Sequence, residues 1–332
     1  MVTEAEKLLA HEFAEALGIS KKTLMQYERE GKLPSAKRYQ SGKLLYRYYT
    51  PEDLIIARQK LNIPPPFPIQ RRQLFMNLKG GVGKSVLSYN YAYRVAKLGI
   101  KTLLIDLDAQ AHLTTYAGLH PEKIKLTLYN VLLEDLPIDM AIQHTSLPTL
   151  DIVPSNLTLS PLELSLFGRH AREYRLQRAL QPIKDKYQLI VIDAPPNLSL
   201  LNVNAILSVQ DLIVPVMADF FSYDGLRLLF ESLAQFRKDL VYELENVYVL
   251  LNSFNALETV CQQSRKALET HYKDYLLKTI VRKSTTFSKS TAAQQSVFEL
   301  EPSSKAAQDI DSLVQEILGF SYQSQANSKH KR

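Results

Sequence analysis

With 332 residues the chain can bury a large core in one or two domains, and its 45% hydrophobic and 22% charged residues are typical of a soluble globular protein. The net charge of +6 favours a polyanionic partner. A lone cysteine, Cys261, excludes an internal disulfide and a cysteine-ligated metal cluster. The absence of a secretory signal and of any apolar run of about 18 residues predicts a cytoplasmic protein without a membrane partner.

Residues 1–61 carry the pattern of a small helical module. An apolar stripe with helical spacing between Leu8 and Leu17 predicts a first helix, and Ser20 is placed to cap a second helix that ends near Glu30. Two helices joined by a tight turn predict a helix-turn-helix. The second helix offers side chains that suit a DNA major groove: Lys21, Lys22, Thr23, Gln26, Tyr27 and Arg29.

A basic, tyrosine-rich run follows the second helix and is compatible with a β-wing along the DNA backbone. Its candidate phosphate contacts are Lys37, Arg38 and Arg47. The sequences Y-x-R-E-G-K-L-P and R-Y-Y-T-P-E-D-L resemble the winged helix of MerR-type regulators, which implies operator DNA as a specific partner. The alternative is a protein-interaction module whose basic face is only solvated.

Residues 62–72 hold four prolines, at 64, 65, 66 and 68. Proline is excluded from helix interiors and central strands, so we predict a semi-rigid linker here. A second domain is then expected over residues 73–320, and the basic segment 321–332 is predicted to be a disordered tail.

The stretch from Leu74 to Asn90 predicts a strand, a glycine-rich turn and a helix. Glycines allow successive backbone N–H groups to face one anion, and the helix adds its positive N-terminal end. Lys84 is expected to reach the β- and γ-phosphates, and the Ser85 hydroxyl to ligate Mg²⁺. A turn without a ligand is the alternative. The predicted nucleotide-binding residues are Lys79, Gly80, Gly81, Val82, Gly83, Lys84, Ser85 and Val86.

From Gln73 onward, apolar runs alternate with helical segments. Strands are predicted at 74–76, 102–105, 150–153, 189–192, 212–216 and 247–251, and helices within 126–135, 161–186, 224–238, 257–271 and 304–320. Repeated β-α units predict an α/β fold with a doubly wound, mostly parallel sheet. Ligands bind at the carboxyl ends of such strands, where Asp106, Asp108 and Asp193 fall.

The segment K-G-G-V-G-K-S resembles the deviant Walker A loop of the ParA/MinD family of P-loop NTPases. In that family the extra lysine, here Lys79, reaches across a dimer interface to the partner's nucleotide. Asp193, at the end of an apolar strand, is expected to hold Mg²⁺ as a Walker B residue. D-L-D-A-Q-A-H-L-T is similar to the family's D-x-D-x-Q-x-N-x-T. This similarity implies that Asp108 orients the attacking water and Asp106 supports the metal, and which aspartate matters more stays open.

The C-terminal third adds to the resemblance. Asn252 stands where the family contacts the base, with a simple strand-end turn as the alternative. Later blocks resemble the C-terminal region of partition ATPases, which implies that Arg282, Lys283 and Lys289 bind nonspecific chromosomal DNA. A solvated charged face is the alternative. The last helix has an acidic or neutral polar face, so we expect it to pack on the sheet rather than on an anionic membrane.

Taken as a whole, the chain resembles a long-form ParA-type partition ATPase with an N-terminal helix-turn-helix. The resemblance implies hydrolysis of ATP to ADP with Mg²⁺, an ATP-dependent homodimer on nucleoid DNA, stimulation by a ParB-like centromere-binding partner, and autorepression through the N-terminal module. Two other interpretations stay open: an ATP-tuned transcriptional repressor, and an ATPase that positions a protein assembly.

Overall fold

The computed structural model of the chain describes residues 7–41, 44–64, 70–219, 222–240 and 242–319. Its N-terminal module contains three strands and three helices: β1 (Leu8–Leu9), α1 (Ala10–Ala16), α2 (Lys21–Arg29), β2 (Lys37–Ser41), β3 (Leu44–Tyr49) and α3 (Pro51–Leu61). The predicted N-cap is confirmed, because the Ser20 side chain accepts a hydrogen bond from the Thr23 backbone N–H at 3.0 Å. The wing is a β2–β3 hairpin.

One boundary in this module was predicted wrongly. Leu8 and Leu9 form a short strand that pairs with Tyr49 and Tyr48 of β3, and the first helix begins only at Ala10. Leu8 is still buried in the same apolar cluster as Phe13 of α1. A stripe of buried side chains can therefore look helical although its first residues are extended.

The second domain has eight strands and eleven helices among the described residues. In chain order they are β4 (Arg71–Phe75), α4 (Lys84–Lys97), β5 (Thr102–Asp106), α5 (His112–Tyr116), α6 (Leu128–Leu133), β6 (Gln143–His144), β7 (Leu150–Val153), α7 (Leu162–Leu166), α8 (Arg175–Leu180), β8 (Leu189–Asp193), α9 (Leu200–Ile206), β9 (Asp211–Met217), α10 (Ser222–Leu240), β10 (Asn246–Phe254), α11 (Thr259–His271), β11 (Leu276–Arg282), α12 (Thr285–Ala293), α13 (Val297–Leu300) and α14 (Lys305–Leu318).

These strands form one sheet in the order β11-β10-β9-β4-β8-β5-β7-β6. Every neighbouring pair is parallel except β6 with β7, so the predicted mostly parallel sheet is confirmed. The register aligns the carboxyl ends of three central strands, since Asp193 lies opposite both Phe75 and Asp106. Residues far apart in sequence therefore meet at one edge.

Side chains of the central strands alternate between two apolar clusters, one on each face of the sheet. Leu74 and Ile105 belong to one cluster, whereas Phe75 and Leu104 belong to the other. Ile310 of α14 packs in the second cluster, as we expected of the last helix. None of the helices in the described ranges is long and apolar enough to cross a membrane.

The helices predicted within 161–186 are present as α7, α8 and short 3₁₀ turns, and Gly168 lies between α7 and α8. Two other features differ from the prediction. Strand β11 was not predicted, because it is an edge strand whose buried and exposed residues are mixed. The expected linker overlaps β4, which begins at Arg71, and the Arg71 guanidinium forms an ion pair with the buried Asp211. Residues 65–69 and the tail lie outside the described residues.

Candidate functional site

The glycine-rich loop joins β4 to α4 at the central edge of the sheet. Gly81 and Gly83 take φ values of 74° and 86°, which side-chain-bearing residues rarely adopt. The Asn252 side-chain amide donates a hydrogen bond to the Val82 carbonyl at 2.8 Å, and a Cβ on Gly83 would lie 2.7 Å from that same amide nitrogen. Asn252, predicted to contact the base, therefore braces the loop from β10.

The two lysines of the loop have different surroundings. Lys84 is 7% exposed, and its ammonium donates to the Lys79 carbonyl at 3.3 Å. Burial lowers the pKa of Lys84, while the carboxylates of Asp193 and Asp108 act in the opposite direction. The Lys79 ammonium instead forms an ion pair with Asp219 at 2.7 Å, and its backbone N–H donates to the Asn77 side chain at 2.9 Å. Lys79 thus contacts a residue of its own subunit.

Asp106 and Asp193 lie side by side in β5 and β8 and are almost wholly buried. Burial and the neighbouring carboxylate raise the pKa of Asp193 to about 8, and burial raises the pKa of Asp106 to about 6. Asp106 accepts hydrogen bonds from the Asp108 N–H at 3.1 Å, the Thr114 N–H at 2.9 Å and the Thr114 hydroxyl at 2.7 Å. It therefore holds the turn between β5 and α5 in place.

Asp193 is the carboxylate that remains open to a ligand. Its Oδ1 is buried and has no hydrogen-bond partner in the part of the chain that the structure describes, while the Ser85 hydroxyl hydrogen-bonds to the same side chain. The described residues hold no cluster of three or more His, Cys, Asp or Glu side chains that suits a metal. One carboxylate and one hydroxyl fit Mg²⁺ beside phosphates, because this ion keeps several waters and takes phosphate oxygens as ligands.

Asp108 is half-buried at the start of the turn, and one of its oxygens accepts a hydrogen bond from the Gln110 N–H at 2.9 Å. The negative charge of Asp108 acts to raise the pKa of both Lys84 and Asp193. Lys84, Ser85, Asp108 and Asp193 thus interact with one another, and Asp106 accepts a hydrogen bond from the Asp108 backbone.

A cavity of about 360 Å³ adjoins the loop, within the size range of small-molecule sites. It is lined by Gly81, Gly83, Val86, Asn252, Arg282, Lys283 and Phe287. Arg282 and Lys283 were predicted to bind DNA, yet they lie beside the glycine loop because β11 ends there. The sequence showed no signal for this position, since β11 itself was missed.

The three C-terminal cations predicted to bind DNA already have acidic partners. Arg282 forms an ion pair with Asp309 at 2.6 Å, Lys283 with Glu258 at 3.4 Å, and Lys289 with Glu301 at 3.1 Å. A DNA phosphate would have to compete with each of these carboxylates.

The predicted DNA contacts of the N-terminal module fall into two groups. Several have partners within the module: Lys37 with Asp53, Arg47 with Glu28, Thr23 with Ser20, Gln26 with Glu30, and Tyr27 with the Lys32 ammonium. The side chains of four exposed cations form no hydrogen bond or ion pair with any residue that the structure describes: Lys21, Lys22, Arg29 and Arg38. These four are the cations best placed to meet a polyanion.

Large apolar side chains are exposed around the nucleotide edge of the sheet. They occur in the segments that follow the carboxyl ends of four strands, β7 to β10: Leu157, Leu164, Phe167, Leu198, Leu228, Leu257 and Val260. Exposed large apolar side chains that gather on one side of a molecule are typical of an interaction site.

A parallel sheet with a glycine loop after its first strand, a buried lysine, a hydroxyl at the helix start and a strand-end carboxylate defines a P-loop NTPase. A family model described as an AAA domain matches residues 72–246, and one described as a MerR family regulatory protein matches residues 11–49. The second match agrees with the helix-turn-helix and wing described above.

The similarity to individual proteins is extensive. The chain is 41% identical over 315 residues to the cell division protein PomZ of Myxococcus xanthus, covering 95% of this chain and 94% of PomZ. It is 30% identical over 254 residues to the chromosome partitioning protein ParA of Caulobacter vibrioides, covering 76% of this chain and 95% of ParA. An ATP complex of McdA from Cyanothece superposes with a TM-score of 0.69 at 18% identity, covering 77% of this chain and 98% of McdA. The chain belongs to the ParA/MinD family of partition and positioning ATPases.

Proposed function

We propose that the chain binds ATP and Mg²⁺ at residues 79–86 and hydrolyses ATP to ADP and phosphate. The observation that carries this proposal is the buried Lys84 ammonium beside Asp193, whose Oδ1 lacks a partner among the described residues. The similar McdA structure is an ATP complex. A cation and an open carboxylate behind a glycine loop suit a triphosphate and its metal.

Each residue then has a defined task. The loop N–H groups and Lys84 hold the phosphates in position, while Ser85 and Asp193 hold Mg²⁺, which neutralises phosphate charge when bound. Asp108 orients the attacking water, and Asp106 fixes the Asp108 backbone through the hydrogen bond at 3.1 Å. Little covalent chemistry is required of the protein, because positioning and charge stabilisation suffice for phosphoryl transfer.

ATP is further proposed to join two copies of the chain face to face. The exposed apolar residues around the nucleotide edge support this arrangement, because they lie where a second copy would cover them. In the dimer, Lys79 would exchange its Asp219 partner for a phosphate of the other subunit. Without nucleotide, the pair at 2.7 Å keeps the Lys79 charge neutralised within its own subunit.

The proposed cycle uses DNA as a track. An ATP dimer binds nonspecific DNA, and a ParB-like partner stimulates hydrolysis and releases it. The N-terminal module, through Lys21, Lys22, Arg29 and Arg38, binds operator DNA and represses transcription of its own gene. Support comes from the match to a MerR family model and from the four exposed cations.

A second candidate concerns the cargo. ParA of Caulobacter covers 76% of this chain, whereas PomZ covers 95% and therefore includes most of the N-terminal module. Since PomZ is named a cell division protein, this observation favours positioning of a division-related protein assembly over segregation of a plasmid or chromosome.

The test is ATP turnover by the full chain with and without random-sequence duplex DNA, for the wild type, Lys84→Ala and Lys79→Ala. We expect Lys84→Ala to lose nucleotide binding, and Lys79→Ala to bind ATP but remain monomeric in light scattering. Unchanged turnover in Lys84→Ala would refute the phosphate site, and an ATP-dependent dimer of Lys79→Ala would refute the cross-subunit role. Fluorescence microscopy of a tagged copy, on division sites or on DNA foci, decides the cargo.

A further inference from the structure

The N-terminal module packs directly against the end of α4. The Arg58 guanidinium of α3 donates hydrogen bonds to the carbonyl of Leu98 at 2.7 Å and to that of Gly99 at 3.3 Å. It also donates to the Ala16 carbonyl in α1 at 3.2 Å. One side chain thus ties both outer helices of the module to the last turn of an ATPase helix.

This contact buries the positive charge of Arg58. Arg58 is 6% exposed, and no carboxylate within the described ranges forms an ion pair with it. Burial lowers the pKa of Arg58 to about 10. The last carbonyls of a helix lack intrahelical partners and carry the negative end of its dipole, so they stabilise a buried cation. The carbonyls at the end of α4 therefore compensate the buried charge of Arg58, and Arg58 in turn supplies hydrogen-bond donors to those carbonyls.

Gly99 shows how close the approach is. Its φ of +72° belongs to the left-handed region, and a Cβ built on it would lie 2.9 Å from the Pro51 carbonyl and 3.0 Å from the Leu54 side chain. A residue larger than glycine would push α3 away from the end of α4.

A second set of interactions between the module and α4 is electrostatic. Glu12 and Glu15 of α1 interact electrostatically with Lys97 and Arg94 of α4, respectively, and Arg94 also forms an ion pair with Asp311 of α14. Lys97 is 6% exposed and Arg94 is 8% exposed. Separating α1 from α4 would remove these two favourable charge interactions, while the ion pair between Arg94 and Asp311 would remain.

The other end of α4 belongs to the proposed phosphate site, because the helix begins at Lys84. Its 14 residues span about 21 Å as a single rigid element. Any displacement of the first turn on nucleotide binding would therefore reach the carbonyls that hold Arg58. We propose that docking of the winged-helix module on α4 and nucleotide occupancy of the glycine loop are thermodynamically linked.

This linkage rests on the proposed nucleotide site and adds a regulatory role for the module. Linkage is reciprocal: if nucleotide strengthens docking, docking strengthens nucleotide binding by the same factor. A duplex DNA that prefers the docked or the undocked module would in turn change nucleotide affinity. The module would then couple DNA binding to nucleotide binding in addition to binding DNA itself.

The experiment measures both sides of the linkage in the full chain. Hydrogen exchange of amides in α1 and α3 is followed with and without ADP and Mg²⁺, with amides of β8 as the reference for global stabilisation. We expect ADP to slow exchange in α1 and α3 by about five-fold or more beyond any change in β8. Binding of a fluorescent ADP analogue without protection of α1 and α3 would overturn the linkage alone. Absence of binding would overturn the nucleotide site as well.

Three variants complete the design. Arg58→Met removes the clamp while leaving all loop residues in place, and Gly99→Ala opens the same contact from the ATPase side. Arg178→Met, on the exposed face of α8, is the matched control. We expect both interface variants to lose the ADP-dependent protection of α1 and α3. Their ADP affinity should fall by the same factor by which ADP slows exchange in the wild type, and the control should behave as the wild type. An ADP affinity that stays at the wild-type value while the module exchanges freely would overturn the proposal.

Discussion

Replacing Gly83 by alanine tests how the loop is braced, and Gly81→Ala provides a matched control. Both glycines have φ near +80°, so an alanine at either position is strained by roughly 1–2 kcal/mol. Alanine also lowers the conformational entropy of the unfolded chain, which offsets about 0.4–1 kcal/mol of that strain. Around Gly81 nothing lies within 4 Å of an added Cβ, whereas at Gly83 the Asn252 amide nitrogen lies only 2.7 Å away.

The added methyl group at position 83 must displace Asn252 from the Val82 carbonyl. Loss of that hydrogen bond costs about 1 kcal/mol, and residual crowding adds to it. We therefore expect Gly83→Ala to be less stable than Gly81→Ala by about 1–2 kcal/mol, which corresponds to a melting temperature lower by roughly 2–8 °C for a domain of this size.

The assay is urea and thermal unfolding of nucleotide-free protein, so that effects on ligand binding do not enter. Adding Asn252→Ala to each glycine variant completes a double-mutant cycle. Asn252→Ala should be less destabilising in the Gly83→Ala background than in the wild type by about 1 kcal/mol, because the clash disappears with the amide. Equal stability of the two glycine variants, or strict additivity with Asn252→Ala, would refute the bracing role.

Three further predictions follow from other contacts. Asp106→Asn places an amide NH₂ against either the Asp108 N–H or the two Thr114 donors, which should lower the free energy of unfolding by about 1–3 kcal/mol in urea titrations and also reduce ATP turnover. Arg71→Met leaves the buried Asp211 without its guanidinium partner and should lower the free energy of unfolding by about 3 kcal/mol, with partial recovery when Asp211→Asn is added. Lys22→Ala should reduce the slope of log affinity against log salt by about 0.9 in fluorescence anisotropy with duplex DNA, and an unchanged slope would remove Lys22 from the DNA surface.

The sequence by itself determined the class of the protein. The loop from Lys79 to Ser85 is contiguous, and its function depends on backbone freedom and on one lysine and one hydroxyl at fixed spacing, all of which are visible in a single stretch. Buried parallel strands appear as unbroken apolar runs, so most of the sheet was also predictable. Edge strand β11 was not predicted because its apolar run is interrupted by the exposed Lys278 and by Thr279.

Only the tertiary structure decided which distant residues meet. Asp106 and Asp193 are neighbours because β5 and β8 pair, and Asn252 reaches Val82 because β10 ends beside the loop. Arg58 looks like a solvated cation on a short helix, yet it is buried against the end of α4. Such contacts depend on sheet order and domain docking, which arise from the sum of many packing interactions and have no local signature in the chain.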